Sequence, residues 1–501
     1  MKRILAMLLV LFIVSSLGLV FSGAVESPDS DFEPSNDKDE EDDDLMIEIS
    51  DAPLEIPEDS KAKYGGKTFI IDSPTPWGKD RFVREEYNGN PLNDSIKDMN
   101  NAVLDKIGVT LDATMNTSTP KQSQVFVDSV LANDGKFDVM AIHTESNCAS
   151  LVIADAVLNF DYLEYCDLSK PWWNAGFTDS SAIFDVNYFG VSSTCYAIYL
   201  NTVVLLFNKD LAAEHNLPDF YQLVRDGKWT VDELINATKN FSQDLNGDAQ
   251  ITENDLIAMV SDDGPHINAW LGAFRQSTVI KGENDEPTFV VNTARMSNIV
   301  DKLYTLYHEG KRTVIYDISW RESSDSSKDL YNNAFAEGRV LFDIAYIDEA
   351  TKMRDYDINF GILPMPKLNL DQEEYGSYVE AWHLCWAVPK NCPDSDYVST
   401  VLETMAYYSY QYTYPTIIEQ TIYGTGTRDI ESSEMLDIVF KNMNWEFGYI
   451  YNGNETGYSY ILRDLMNERS KDISSYIAER KNKVEDHFAD VYDGALSHSG
   501  K

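Results

Sequence analysis

The chain has 501 residues, of which 43% are hydrophobic and 12% aromatic, enough apolar surface for two intertwined lobes or two to three domains and too much for a disordered polymer. Its formal net charge of −43 repels phosphate backbones and anionic lipid, which excludes nucleic-acid partners and adhesion to acidic membranes.

Lys2 and Arg3 precede an apolar run from Ile4 to Phe21, and Ser22-Gly23-Ala24 supplies the small residues a signal peptidase needs. Residues 1–24 therefore read as an export signal cut after Ala24, with retention as a membrane anchor as the alternative, because the run barely reaches spanning length. No cysteine follows the signal, so the sequence does not support a lipid anchor. Residues 25–63 read as an acidic tether: between positions 26 and 60 there are 16 acidic residues and one basic residue, Lys38.

The folded part is expected from residue 64. Strand, helix, strand, helix, strand are predicted at 67–71, 92–107, 109–113, 121–132 and 137–142, with Ile96, Met99, Val103, Leu104 and Ile107 on one helix face. That alternation implies a parallel sheet with helices on its faces, whose ligands lie beyond the carboxyl ends of the strands. Further strands are predicted at 203–207, 340–345, 359–363 and 381–388. Thr230 and Glu233 form a capping-box pattern before a helix at 231–241. From about Ser395 the pattern is mainly helical.

Residues 244–255 carry oxygen ligands at the spacing of a calcium loop. Asp244, Asn246 and Asp248 stand at positions 1, 3 and 5, the Gln250 carbonyl at 7, Thr252 at 9 and Asp255 at 12. Ala249 at position 6, in place of glycine, and Asp rather than Glu at position 12 depart from the dockerin or EF-hand pattern. A structural Ca2+ is the expected cofactor, against an acidic surface turn. The five cysteines (148, 166, 195, 385 and 392) show no CxxC or zinc spacing and read as buried, unpaired thiols, with disulfides as the alternative.

Several segments, in order, resemble the extracellular solute-binding proteins of family 1, the maltose-binding type, and especially their long clostridial members. They are residues 206–211 (LFNKDL), 226–234 (DGKWTVDEL), 338–342 (GRVLF), 360–367 (FGILPMPK), 428–437 (RDIESSEMLD) and Pro171-Trp172-Trp173-Asn174. The resemblance implies a two-lobed α/β fold of periplasmic-binding-protein type II with hinge strands between the lobes. Lobe 1 would hold 64–192 and 383–425, and lobe 2 would hold 193–382 and 426–501. It implies an extracellular, monomeric substrate-binding component that delivers a small solute, most readily a carbohydrate, to ABC permease subunits. The alternatives are a secreted carbohydrate-active enzyme, or a surface sensor or scaffold docking a partner through the calcium loop. No zinc-protease helix or nucleophile elbow is present.

A sugar needs flat aromatic surfaces for its C–H faces and carboxylates, amides or imidazoles for its hydroxyls. The strand-end candidates are Trp77, His143 and Glu145 in lobe 1, His266, Trp270 and Tyr346 in lobe 2, and Glu380 and Trp382 near the hinge. Trp172 and Trp173 read as structural.

Overall fold

The computed structural model describes residues 49–75, 78–283, 285–317, 327–379, 383–427, 429–453 and 456–498. The signal, the acidic run up to residue 48, Trp77, Glu380 and Trp382 lie outside them.

The first sheet grows around β1 (Thr68–Thr75). Helix α1 (Pro91–Ile107) follows, capped by the Asn90 side chain, which accepts the Asn93 N–H at 3.0 Å, and ended by Gly108 in left-handed backbone at φ 72°. Ile96, Met99, Val103 and Ile107 are buried, whereas Leu104, expected on the same face, is exposed. Then come β2 (Thr110–Ser118), α2 (Gln122–Ala132), β3 (Val139–His143) and α3 (Thr144–Ile153). β1 is parallel to both β2 and β3, with Ile71 opposite Ala113 and Val139. The short β4 (Val157–Leu158) completes this segment of the chain.

The second sheet begins with β5 (Val203–Asn208), whose last residue caps α4 (Lys209–Glu214) by accepting the Leu211 N–H at 2.9 Å. Helix α5 (Val231–Thr238) stops short of the expected residue 241, and the Thr230 side chain makes no cap bond. The chain turns soon afterwards, at Asn240, in left-handed backbone. Next come β6 (Ile257–Asp262), α6 (Pro265–Ala273), the hairpin β7 (Val279–Lys281) and β8 (Pro287–Phe289), β9 (Thr313–Tyr316), β10 (Val340–Tyr346), α7 (Ile347–Lys352) and β11 (Phe360–Leu363). The sheet order is β11-β5-β10-β6-β9. β5 and β6 are buried at every residue, as near-continuous apolar strands are when helices cover both faces.

β12 (Ser377–Tyr378) precedes the return to the first sheet, where β13 (Leu384–Pro389) is antiparallel to β3 and β4. The first sheet is therefore mixed, in the order β2-β1-β3-β13-β4. The outgoing and returning segments meet in antiparallel bridges, Gly190 with Trp386 and Thr202 with Val379. They form a two-stranded waist. Helix α8 (Ser395–Pro415) continues into a π-helix at Thr416–Gly426, followed by α9 (Ile430–Lys441), β14 (Met443–Asn444), α10 (Phe447–Ile450) and α11 (Ile473–His498).

Two expectations need correction. Residues 49–63, read as the end of the tether, lie against the body: Ile49, Ala52 and Ile56 pack on the core and Glu55 pairs with Lys170 at 3.2 Å. Apolar residues at that spacing give the segment something to bury. The last helix, placed by resemblance in lobe 2, packs on α3 of the first lobe. There the Tyr188 hydroxyl donates to the Ala495 carbonyl at 3.1 Å, and a Cβ on Gly494 would stand 2.6 Å from the Val152 carbonyl oxygen. Only glycine permits that approach. Of the five cysteines, Cys148, Cys195 and Cys385 are buried as expected, whereas Cys166 and Cys392 are half-buried; no sulfur–sulfur bond is drawn between any two of them. Trp172 and Trp173 are buried, their indole N–H groups donating to the two oxygens of Glu403 at 2.8 Å each. Among the described residues no helix is long and apolar enough to cross a membrane.

Candidate functional site

The carboxyl end of β3 and the start of α3 face the start of α6 across the waist. Thr144, the first residue of α3, and Asn268, in the first turns of α6, line one cavity of ≈190 Å³. On α6 and just beyond it, Asn268, Leu271, Gly272 and Arg275 recur at helical spacing and present one face to this cavity. His383, Trp445, Glu446 and Tyr449 complete its polar and aromatic walls. Trp445 is half-buried and also lines a larger groove of ≈540 Å³, with Tyr199, Tyr414 and Phe440.

The polar groups of the cavity are largely held in place by the protein. Thr144 Oγ1 and His383 Nε2 share a hydrogen bond of 2.8 Å. Arg275 Nε donates to the Tyr375 carbonyl at 2.9 Å and its Nη2 to Asn442 Oδ1 at 2.8 Å. Glu446 Oε1 accepts the backbone N–H groups of Thr278, Val279 and Gly448 at 2.9, 3.2 and 3.1 Å. Burial still raises its pKa above the usual carboxylate value. Asn268 Oδ1 is buried with no hydrogen-bond partner among the described residues, an acceptor left for a ligand or a water.

The candidates named from sequence fall into three groups. His143 and Glu145 flank Thr144 and are buried. The His143 N–H donates to Gln122 Oε1 at 2.9 Å; burial, then the charges of His383 and Arg81, lower its pKa to about 3, so the ring is neutral. Glu145 Oε1 accepts from Asn452 Nδ2 at 2.9 Å, tying α3 to the C-terminal region. His266 and Tyr346 lie together at the ends of β6 and β10, their rings 5.4 Å apart. There the Asp262 N–H donates to His266 Nδ1 at 3.1 Å, and burial lifts the Asp262 carboxyl to about 7 despite the N–H groups of Gly264 and His266. Trp270, read as a stacking platform, is instead a core residue: fully buried, with its indole N–H donating to the Tyr307 hydroxyl at 2.8 Å. It sits four residues after His266, off the cavity-lining face. Trp77, Glu380 and Trp382 lie outside the described residues.

Sequence reasoning missed Thr144, Asn268, His383 and Trp445. Asn268 lay inside the run Gly264–Trp270 already singled out, where helical phase would have preferred it to Trp270.

The acidic loop at 244–255 brings three of the predicted residues together. Carboxylate oxygens of Asp244, Asp248 and Asp255 lie within 4.8 Å of one another. Oxygens at about 2.3–2.6 Å from one Ca2+ can stand up to about 5 Å apart, so the set fits that ion. Ala249 takes the left-handed turn at φ 67° that glycine normally supplies at position 6. Asp255 accepts the Leu245 and Thr252 N–H groups at 2.8 Å each, which keeps its carboxyl below the usual range. Asn246 Oδ1 accepts the Asp248 N–H at 2.9 Å. Gln250 and Thr252 follow in the same loop, the Gln250 N–H donating to Asp248 Oδ1 at 2.8 Å.

A model of the bacterial extracellular solute-binding protein family matches residues 112–425, well over half of the chain. The chain belongs to that family. As an extracellular solute-binding protein it works outside the cytoplasmic membrane. Its fold is similar to that of the ABC transporter solute-binding protein of Thermotoga lettingae bound to α-D-tagatose (10% identity, TM-score 0.52, covering 84% of this chain and 100% of that one). It is similar also to the galacto-N-biose/lacto-N-biose I-binding protein of Bifidobacterium longum (13% identity, TM-score 0.51, 87% and 97%). A third similar structure is the substrate-binding protein Lmo0181 of Listeria monocytogenes in complex with cycloalternan (10% identity, TM-score 0.50, 87% and 99%). No curated protein matches the sequence. At these identities the likenesses speak for the two-lobed fold.

Proposed function

We propose that this solute-binding protein captures a small, uncharged carbohydrate between its lobes and hands it to the permease of an ABC importer, as a monomer and without chemical turnover. The observation that carries the reading is the cavity at the waist. Thr144 and His383 come from the first lobe's side, Asn268 from the second, and the half-buried Trp445 offers a ring face beside them. That is the pairing of flat aromatic surface with hydroxyl-matching groups that a sugar requires. The charged side chains on the wall already have protein partners, which favours a neutral guest. At ≈190 Å³ the cavity is below the roughly 300–1,000 Å³ of drug-sized sites, which suits a single sugar ring. Tagatose, held by a similar fold, belongs to that size class.

A thermal-shift screen of neutral mono- and disaccharides, amino acids and polyamines tests this. Stabilisation by at least one saccharide and by none of the others is expected. Stabilisation by amino acids or polyamines alone, or by nothing in the panel, would contradict it. Product analysis after prolonged incubation with the binding sugar should recover that sugar intact.

The loop at 244–255 is proposed to hold one structural Ca2+ through Asp244, Asn246, Asp248, the Gln250 carbonyl, Thr252 and Asp255. The ion would offset the loop's negative charge and fix it between α5 and β6, away from the cavity.

A further inference from the structure

We propose that Cys148 and Cys385 form a native disulfide when the protein folds outside the cell. Their sulfurs lie 3.7 Å apart and both residues are fully buried. A disulfide bond is about 2.05 Å long, so closure asks each sulfur to move by roughly 1 Å or less. Among the described residues no other two cysteine sulfurs are in contact: Cys166 meets the Ser399 carbonyl at 3.6 Å and Cys195 the Thr194 hydroxyl at 4.0 Å.

The pair is placed by the same geometry that builds the cavity wall. Thr144 and Cys148 are four residues apart on α3 and share a helix face. His383 immediately precedes β13, and Cys385 is the second residue of that strand. The Thr144–His383 hydrogen bond and the Cys148–Cys385 contact are thus two successive rungs between one helix and the chain entering β13. The outer rung touches the cavity, and the inner rung would staple it. The family is extracellular, where thiols meet oxidising conditions. The inference does not depend on which solute is bound.

In the folded protein burial raises the Cys148 thiol well above its ordinary pKa, so little thiolate is available and the bond forms while the chain is still folding. One cysteine attacks a small disulfide such as oxidised glutathione, giving a mixed disulfide and releasing one glutathione thiol. The second cysteine attacks that mixed disulfide and releases the other. The two electrons and two protons leave with the two glutathione thiols.

The test is to refold the full-length chain in a glutathione redox buffer and, separately, in dithiothreitol, then alkylate under denaturing conditions and map the peptides. In the redox buffer three cysteines should be alkylated and one reducible peptide pair should join residues 148 and 385, with a melting temperature several degrees above the reduced form. Cys195→Ser should keep the link and Cys385→Ser should lose it. Five alkylated cysteines in the wild type, or a link through Cys166, Cys195 or Cys392, would overturn the proposal. The mapping of the wild type decides the matter even where a serine variant fails to fold.

Discussion

Thr144 Oγ1 lies 2.8 Å from His383 Nε2, and that hydrogen bond joins the first residue after β3 to the chain just as it re-enters the first lobe. Both residues line the cavity. Thr144→Val keeps the shape and removes the hydroxyl, at a cost of about 1 kcal/mol in stability, and it takes one hydrogen-bond partner from the imidazole. Saccharide affinity should fall several-fold, while Thr144→Ser should restore both properties. Urea denaturation and calorimetric titration check this, and a valine variant with unchanged affinity would remove Thr144 from the site.

Calcium should raise the melting temperature by several degrees at millimolar concentration, and a chelator should reverse the effect. Asp248→Asn removes one of the three converging carboxylates and should abolish the response while leaving saccharide binding intact. A wild-type melting curve indifferent to calcium would reduce the loop to an acidic turn.

Glu403 is buried between the indole N–H groups of Trp172 and Trp173, and burial raises its carboxyl from 4.5 to about 7. The folded state therefore holds a proton that the unfolded chain has released. The stability this gives is fully present below about pH 4.5 and is lost as pH rises through about 7. Glu403→Gln has no such titration. Between pH 5 and pH 8 the wild type should lose stability relative to the variant, by at most about 3 kcal/mol. Denaturation midpoints at the two pH values measure it, and a constant difference would mean that Glu403 stays ionised throughout.

Gly494→Ala should destabilise the protein by about 1–3 kcal/mol, because the new methyl meets the Val152 backbone and α11 must lift from α3. A variant as stable as the wild type would show that this contact is looser than the structure draws it.

Local patterns were readable where one element's periodicity decides the outcome. β1, α1, β3 and β5 stand close to where alternation and caps put them. The clustering of Asp244, Asp248 and Asp255 was legible because the three carboxylates belong to one short loop. The cavity was legible only in part, because its wall is built from contacts distant in sequence. Trp445 enters it from a C-terminal segment with no strand-end signal. Trp270 was chosen for its chemistry, but the helical phase of α6 turns it inward and Asn268 outward. Glu145 marked the right turn of chain, yet its carboxylate is spent on Asn452. No pattern in residues 49–63 outweighed their acidity, although Ile49, Ala52 and Ile56 were enough to dock them.

Isothermal titration of neutral mono- and disaccharides into the wild type and Trp445→Ala tests the transport reading most directly. Saturable one-to-one binding near micromolar, about −8 kcal/mol, is predicted for the wild type, weakened tenfold or more by the alanine variant, which should keep its fold because Trp445 is only half-buried. Binding of equal strength in both proteins, or none in either, would contradict it.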